Sequence, residues 1–161
     1  MPIKRFLIAI AKNPDGTYEK LVYPSEDTAE GENVDVKRNQ NLTWTVINMT
    51  NATVYAKVDE FLYANGNDPA EVPIKFSPPG KNWQKILTRT NGNPTFKKIH
   101  GKMKESLGGT KIPDDTEFKY NVFAGPTQAD MSIFMDPKLR VDGDENIVPP
   151  RGTRRRTRAK K

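Results

Sequence analysis

The stretch Asn33 to Glu60, NVDVKRNQNLTWTVINMTNATVYAKVDE, constrains the fold of this chain more than any other. Leu42, Trp44 and Val46 share one face of an extended run, with Thr43 and Thr45 on the other. Val54, Ala56 and Val58 repeat the pattern opposite Thr53, Tyr55 and Lys57. Successive side chains of a strand point to opposite faces, so period-two alternation rich in β-branched and aromatic residues predicts strands with one buried side. The segment therefore reads as three short strands joined by two polar turns.

The same reasoning extends along the chain. Ile3 to Ala11 predicts a strand, Asn13-Pro14-Asp15-Gly16 a tight turn, and Thr17 to Tyr23 the returning strand of a hairpin. Pro24 to Glu32 is a polar, acidic loop whose four carboxylates lack the spacing of a cation-binding loop. Phe61 to Gly80, with four prolines, is expected to be loop-rich around a short strand at Ile74 and Phe76. Asn82 to Arg89 fits a helical turn and a strand equally well. Ile99, Met103 and Leu107 recur at four-residue steps, which predicts one short helix near 97–108, closed by Gly108-Gly109. Phe118, Tyr120, Val122 and Ala124 define a further strand, expected to stop at Gly125-Pro126. Met131–Met135 and Lys138–Val141 flank Asp136-Pro137 as a bent strand or a strand pair. Trp44 and Trp83 are expected to anchor the core. The resulting fold class is mainly β: an antiparallel Greek-key β-sandwich of about seven or eight strands with one short helix. A partly open barrel is the alternative.

Charge divides the chain. Residues 151–161 carry seven of its 26 basic residues and no acid, which leaves 19 basic against 20 acidic residues in the rest. The expected organisation is a β-sandwich domain over residues 1–148 and a basic, disordered tail over 149–161. No apolar run is long enough for a transmembrane helix or a secretory signal, so a cytoplasmic location is expected.

The absence of cysteine excludes disulfides, thiol catalysis and thiolate metal sites. A lone histidine, His100, removes any histidine-cluster metal site, and no phosphate-loop, nucleophile-elbow or zinc-protease motif is present. Asp114, Asp115 and Glu117, and Asp142, Asp144 and Glu145, are carboxylate groups flanked by Gly or Pro, which suits turn formation. The sequons at Asn41, Asn48 and Asn51 arise where Asn suits turns and Thr suits strands. Neither a cofactor nor a catalytic residue is expected, and the chain is read as a non-enzyme.

Two stretches carry a family resemblance. Val34 to Trp44, VDVKRNQNLTW, is similar to the opening strands of cupredoxin-like domains. Glu117 to Val122, EFKYNV, followed by Met135 to Val141, MDPKLRV, resembles the closing strands of small bacterial cupredoxin-like proteins. The resemblance implies a cupredoxin-like β-sandwich, covering about residues 30–60 and 115–142, but not the family's copper chemistry. A blue-copper centre requires two imidazoles and a thiolate. The positions near the closing strands that would hold ligands carry Asn121, Gly125 and Asp130.

The functional expectation is a noncatalytic binding or assembly module. The alternative is a nucleic-acid-associated or coat-type protein that contacts phosphates through Arg151, Arg154, Arg155, Arg156, Arg158, Lys160 and Lys161. An acidic protein surface is a second possible partner for that tail, and a homo-oligomer or larger assembly is a further possibility. Lys97, Lys98, Lys102 and Lys104 form a second basic cluster, expected to be a solvated face, with His100 a surface residue within it.

Overall fold

The computed structural model describes residues 2–21 and 33–143, and these are all strand, turn and loop. Thirteen strands are present: β1 Lys4–Lys12, β2 Tyr18–Leu21, β3 Asn33–Val36, β4 Asn41–Asn48, β5 Val54–Tyr63, β6 Ile74–Phe76, β7 Trp83–Ile86, β8 Thr95–Met103, β9 Ser106–Leu107, β10 Thr110–Lys111, β11 Glu117–Thr127, β12 Asp130–Met135 and β13 Lys138–Val141. One sheet runs β2-β1-β4-β8-β6 and the other β3-β13-β11-β5-β7, with β12 also on β11 and β9-β10 a separate hairpin.

The inward faces of the two large sheets build one core. Phe6, Ile8 and Ile10 of β1, Leu42, Trp44 and Val46 of β4, and Ile99 and Met103 of β8 face Val54, Ala56 and Val58 of β5 and Phe118, Tyr120 and Val122 of β11. Each set lies at alternate positions, as the sequence pattern requires. Trp44 stacks on Phe6 with ring centroids 5.2 Å apart and meets Tyr120 edge-on at 6.0 Å. Phe61 stacks on the other side of Tyr120 at 5.0 Å. The aromatic cluster thus spans the space between the sheets.

Several expectations are corrected. The described residues form thirteen strands rather than seven or eight. The sheets are mixed rather than antiparallel: β1 pairs parallel with β4, and β3 with β13. No helix forms near 97–108, where β8 pairs with β4 from Thr95 to Lys102. The four-residue step from Ile99 to Met103 is two strand repeats, and the inward position between them is Gly101. A Cβ there would lie 2.6 Å from Ile74 Cγ2, so glycine lets β6 close over this site while hiding the strand pattern from a hydrophobicity count. Gly108 and Gly109, at φ 58° and 83°, form the two-residue turn of the β9-β10 hairpin rather than a helix cap.

Gly125-Pro126 does not end β11. The register shifts between Ala124 and Thr127, and Pro126 sits in this irregularity, where no ladder donor is needed. The Asp130 carbonyl packs directly over Gly125, leaving no room for a side chain. Asn82 to Arg89 resolves into the strand β7. Trp83 is not a core anchor: it pairs with Lys57, on the outward face of β5, and stacks at 6.5 Å on Tyr55, with Lys81 Nζ 3.8 Å above its ring. The hairpin turn at residues 13–16 forms as expected, closed by a 2.7 Å bond from Asn13 N–H to Thr17 O. The acidic stretch 24–32 and the tail lie outside the described residues.

Candidate functional site

Charge is unevenly shared between the sheets. Strands β1, β4, β6 and β8 contain Lys4, Arg5, Lys12, Lys75, Lys97, Lys98 and Lys102, and no carboxylate, while β2 at the edge of the sheet adds Glu19 and Lys20. The other large sheet, with β12, balances Lys57, Lys85, Lys119, Lys138 and Arg140 against Asp35, Asp59, Glu60, Glu117 and Asp130.

Strand register decides where these cations point. Because Ile99, Gly101 and Met103 face inward, Phe96, Lys98, His100 and Lys102 project outward, and all four are exposed. Lys98 stands opposite Thr45, His100 opposite Thr43 and Lys102 opposite Asn41. Thr43 in turn pairs with Arg5 of β1, which places Arg5, Thr43 and His100 in one row across three strands. On the other flank Lys75 of β6 stands directly opposite Lys102. Two like charges facing each other across a ladder repel, a destabilising arrangement unless a counter-charge lies between them.

Elsewhere cations have carboxylate partners. Lys37 reaches Asp142 at 3.0 Å, Lys104 reaches Glu71 at 3.2 Å and Arg140 grips Asp35 with two bonds of 2.8 and 3.0 Å. The buried Arg38 guanidinium bonds Asp114 and donates to the Ile112 carbonyl at 2.7 Å. No ion pair to Arg5, Lys75, Lys98 or Lys102 is present among the described residues.

At the β6 edge this face deepens into a cleft of about 400 Å³. Lys75, His100 and Lys102 line it with Thr43 and Ser77, Ile3 and Pro79 supply apolar wall, and the row Leu42, Gly101 and Phe76, which faces inward, forms its floor. Thr43 Oγ1 and His100 Nδ1 lie 3.2 Å apart, a contact that orients the imidazole. Thr43 is 7% exposed, so the anchoring hydroxyl is fixed by packing. The site's residues therefore come from β4, β6 and β8, three strands distant in sequence.

Of the basic cluster read from the sequence, Lys97, Lys98 and Lys102 lie on β8 and are exposed, whereas Lys104 turns away to Glu71. Arg151 to Lys161 fall outside the described residues. Arg5, beside Lys4, and Lys75, between Ile74 and Phe76, escaped sequence reasoning because both are far in sequence from Lys97–Lys102; only pairing brings them to the cluster. The carboxylate groups have structural duties. Asp114 holds Arg38, and Asp115 adopts φ 66° in a turn. Lys37 donates to Asp142, which, with the Gly143 N–H, holds the Asp142 carboxyl below its ordinary value of 3.8. The sequon residue Asn48 is fully buried.

Copper ligation does not fit these residues. Among the described residues no three His, Cys, Asp or Glu side chains come together as a metal-holding group. Asn121 donates to Glu60 at 2.8 Å, and Gly125 is backbone packing. No described helix is long and apolar enough to cross a membrane.

No protein-family model matches the chain, and no curated protein matches it. Among solved structures it is similar to a Cu-containing nitrite reductase from Thermus scotoductus SA-01, with 13% identity and a TM-score of 0.39. That match covers 96% of this chain and 33% of the other, so the chain spans about a third of that protein's length. The described residues themselves are all strand, turn and loop, arranged in two large sheets and one separate hairpin.

Proposed function

We propose that this chain is a noncatalytic binding module that holds an anionic macromolecule against the outward face of the β2-β1-β4-β8-β6 sheet. The observation that carries the reading is the group of unneutralised cations that register brings to one face, Arg5 of β1, Lys75 of β6 and Lys98 and Lys102 of β8, on strands without a carboxylate. A surface of one sign attracts its partner at long range and binds by releasing counterions. The Arg151–Lys161 tail has the same sign, and its density of arginine favours phosphate groups, so nucleic acid is the partner class.

The test is a salt titration of binding to a single-stranded oligonucleotide. It compares the full chain, a chain ending at Pro150, and the full chain with Arg5→Glu and Lys98→Glu. Each lost phosphate contact reduces the slope of log affinity against log salt by about one. Both altered chains are expected to show reduced slopes. A slope unchanged by the two reversals on the sheet would remove this face from the function, and loss confined to truncation would assign all binding to the tail.

A further inference from the structure

We infer that the outward face of the β3-β13-β11-β5-β7 sheet is a platform for an extended, uncharged β-linked glycan, whose sugar rings lie on Trp83 and Phe123. This goes beyond the polyanion reading and is independent of it, because it concerns the opposite face of the molecule.

Register lays the platform down as one row across four strands. Trp83 of β7 stands opposite Lys57 of β5, Lys57 opposite Phe123 of β11, and Phe123 opposite Ile133 of β12. The alternate residues Ala56, Val58, Val122 and Ala124 are buried, so this row faces outward. Trp83 and Phe123 are half-buried and Ile133 is 59% exposed. Lys81 Nζ lies 3.8 Å from the Trp83 ring centroid, and Lys57 Nζ 4.9 Å from that of Phe123. A hydrated ammonium reaches a ring face from the solvent side, so the two contacts mark each ring as open to the outside. Such contacts are weak at exposed sites, and a ligand displaces each ammonium sideways while keeping it as a hydrogen-bond donor.

Spacing, charge and size select the ligand. Trp83 and Phe123 are two strand intervals apart, about 9–10 Å. In a β-linked chain with equatorial hydroxyls, alternate sugars turn an apolar C–H face to the same side, and the two-sugar repeat matches this interval. One sugar then lies on each ring, with the sugar between them over Lys57. The row is flanked by acceptors rather than by bare cations: Lys57 pairs with Asp59 at 3.5 Å, and Asn121, opposite Asp59, donates to Glu60 at 2.8 Å. Carboxylates beside the rings repel phosphates but accept hydrogen bonds from hydroxyls. On the other flank the Asp130 carbonyl, packed over Gly125 opposite Tyr55, raises a bank that makes the row a shallow trough. A trough one side chain wide is far below the roughly 800 Å² that each partner gives to a standard protein interface, which argues against a second copy of this chain.

Trp44 is sealed in the core and Trp83 is the chain's other tryptophan, so the two indole N–H resonances of the full-length protein separate binding on this face from a change in the fold. The experiment titrates cellohexaose, with cellobiose, maltohexaose and an oligothymidylate in parallel. Cellohexaose is expected to move the Trp83 resonance saturably while that of Trp44 stays fixed, with an affinity independent of salt. Cellobiose, too short to reach both rings, and maltohexaose, whose α-links coil the chain, are expected to bind at least about tenfold more weakly. Trp83→Ala and Phe123→Ala are each expected to weaken cellohexaose about tenfold by calorimetry, with an unmoved Trp44 resonance reporting an intact fold. Ile133→Ala, at a well-exposed position where the fold is not at stake, is expected to weaken it about threefold.

A Trp83 resonance unmoved by cellohexaose overturns the platform, and so does an affinity unchanged by the three substitutions. Equal affinity for maltohexaose removes the match of spacing and with it the extended glycan. An oligothymidylate that moves the Trp83 resonance at lower concentration than cellohexaose gives the rings to nucleic-acid bases instead. A dimer in sedimentation that Phe123→Ala dissociates gives the face to a second copy. None of these results bears on Arg5, Lys75, Lys98 and Lys102, so the polyanion reading stands or falls by its own salt titration.

Discussion

Trp44 on β4 donates its indole N–H to the Tyr120 hydroxyl on β11 across the interior, at 3.0 Å. Trp44 is 0% and Tyr120 2% exposed, so this is the polar contact between two aromatic anchors of opposite sheets. It allows a large indole to sit wholly inside the sandwich without leaving its donor unpaired.

Tyr120→Phe keeps the ring and removes the acceptor. The expected loss is about 1–3 kcal/mol, the cost of an unsatisfied buried donor, measured as a shift in denaturant midpoint at unchanged slope. Burial pushes the Tyr120 hydroxyl well above its ordinary value of 10.0, against a smaller opposing effect of the Trp44 bond. The folded state therefore retains this proton where an unfolded tyrosine has lost it. That stability is fully present below about pH 10 and is lost as pH rises through the folded value. Tyr120→Phe is expected to flatten the alkaline limb of the stability curve.

Asn48 ties the end of β4 to the opposite sheet. Its Nδ2 group donates to the carbonyls of Ala52, Ile86 and Leu87 at 2.7, 3.1 and 3.0 Å, and its Oδ1 accepts from Thr50 N–H and Oγ1–H. Asn48→Ala leaves several buried groups unpaired, and a loss of about 3 kcal/mol is expected in chemical denaturation. Asn48→Asp is expected to be at least as damaging, because it replaces the donor with an acceptor facing three carbonyls. Retention of wild-type stability by Asn48→Asp would contradict this assignment.

Two glycines are set by close approach. At Gly125 an added Cβ would lie 1.8 Å from the Asp130 carbonyl oxygen, a backbone atom. At Gly101 it would meet the Ile74 side chain at 2.6 Å. Gly125→Ala is expected to cost about 3 kcal/mol, at the upper end of overpacking, and Gly101→Ala about 1–2 kcal/mol. Only the second is relieved by truncating its neighbour, so Gly101→Ala with Ile74→Ala is expected to cost less than the sum of the single changes. Additivity in that cycle would be the contrary result.

Acid sensitivity has a local source at Asp142. Its carboxyl is held below the ordinary value chiefly by the Lys37 hydrogen bond and then by the Gly143 N–H. A depressed folded value means the unfolded chain takes up the proton first as pH falls. The contribution is present above about pH 4 and disappears as pH drops through the folded value. The pair is partly solvated, with Asp142 46% exposed, so its contribution is small. Lys37→Met is expected to lower stability slightly at pH 7 and to make the decline below pH 4 shallower, measured by thermal unfolding across pH 3–7.

The sequence by itself determined which residues lie inside most strands, because strand geometry reads alternation directly: Leu42, Trp44 and Val46, and Phe118, Tyr120 and Val122, are buried as their spacing requires. It also determined that no thiolate is available and that Asn13 to Gly16 would turn. Tertiary structure alone decided the rest, since pairing between distant segments leaves no local periodicity. The parallel union of β1 with β4 follows from burying both apolar faces against the other sheet, across a separation of more than thirty residues. β8 was illegible because Gly101 replaces an apolar inward side chain where Ile74 needs the space. The Lys75–Lys102 opposition, on which the candidate site depends, is a matter of register between strands, and register belongs to the assembled sheet rather than to either strand.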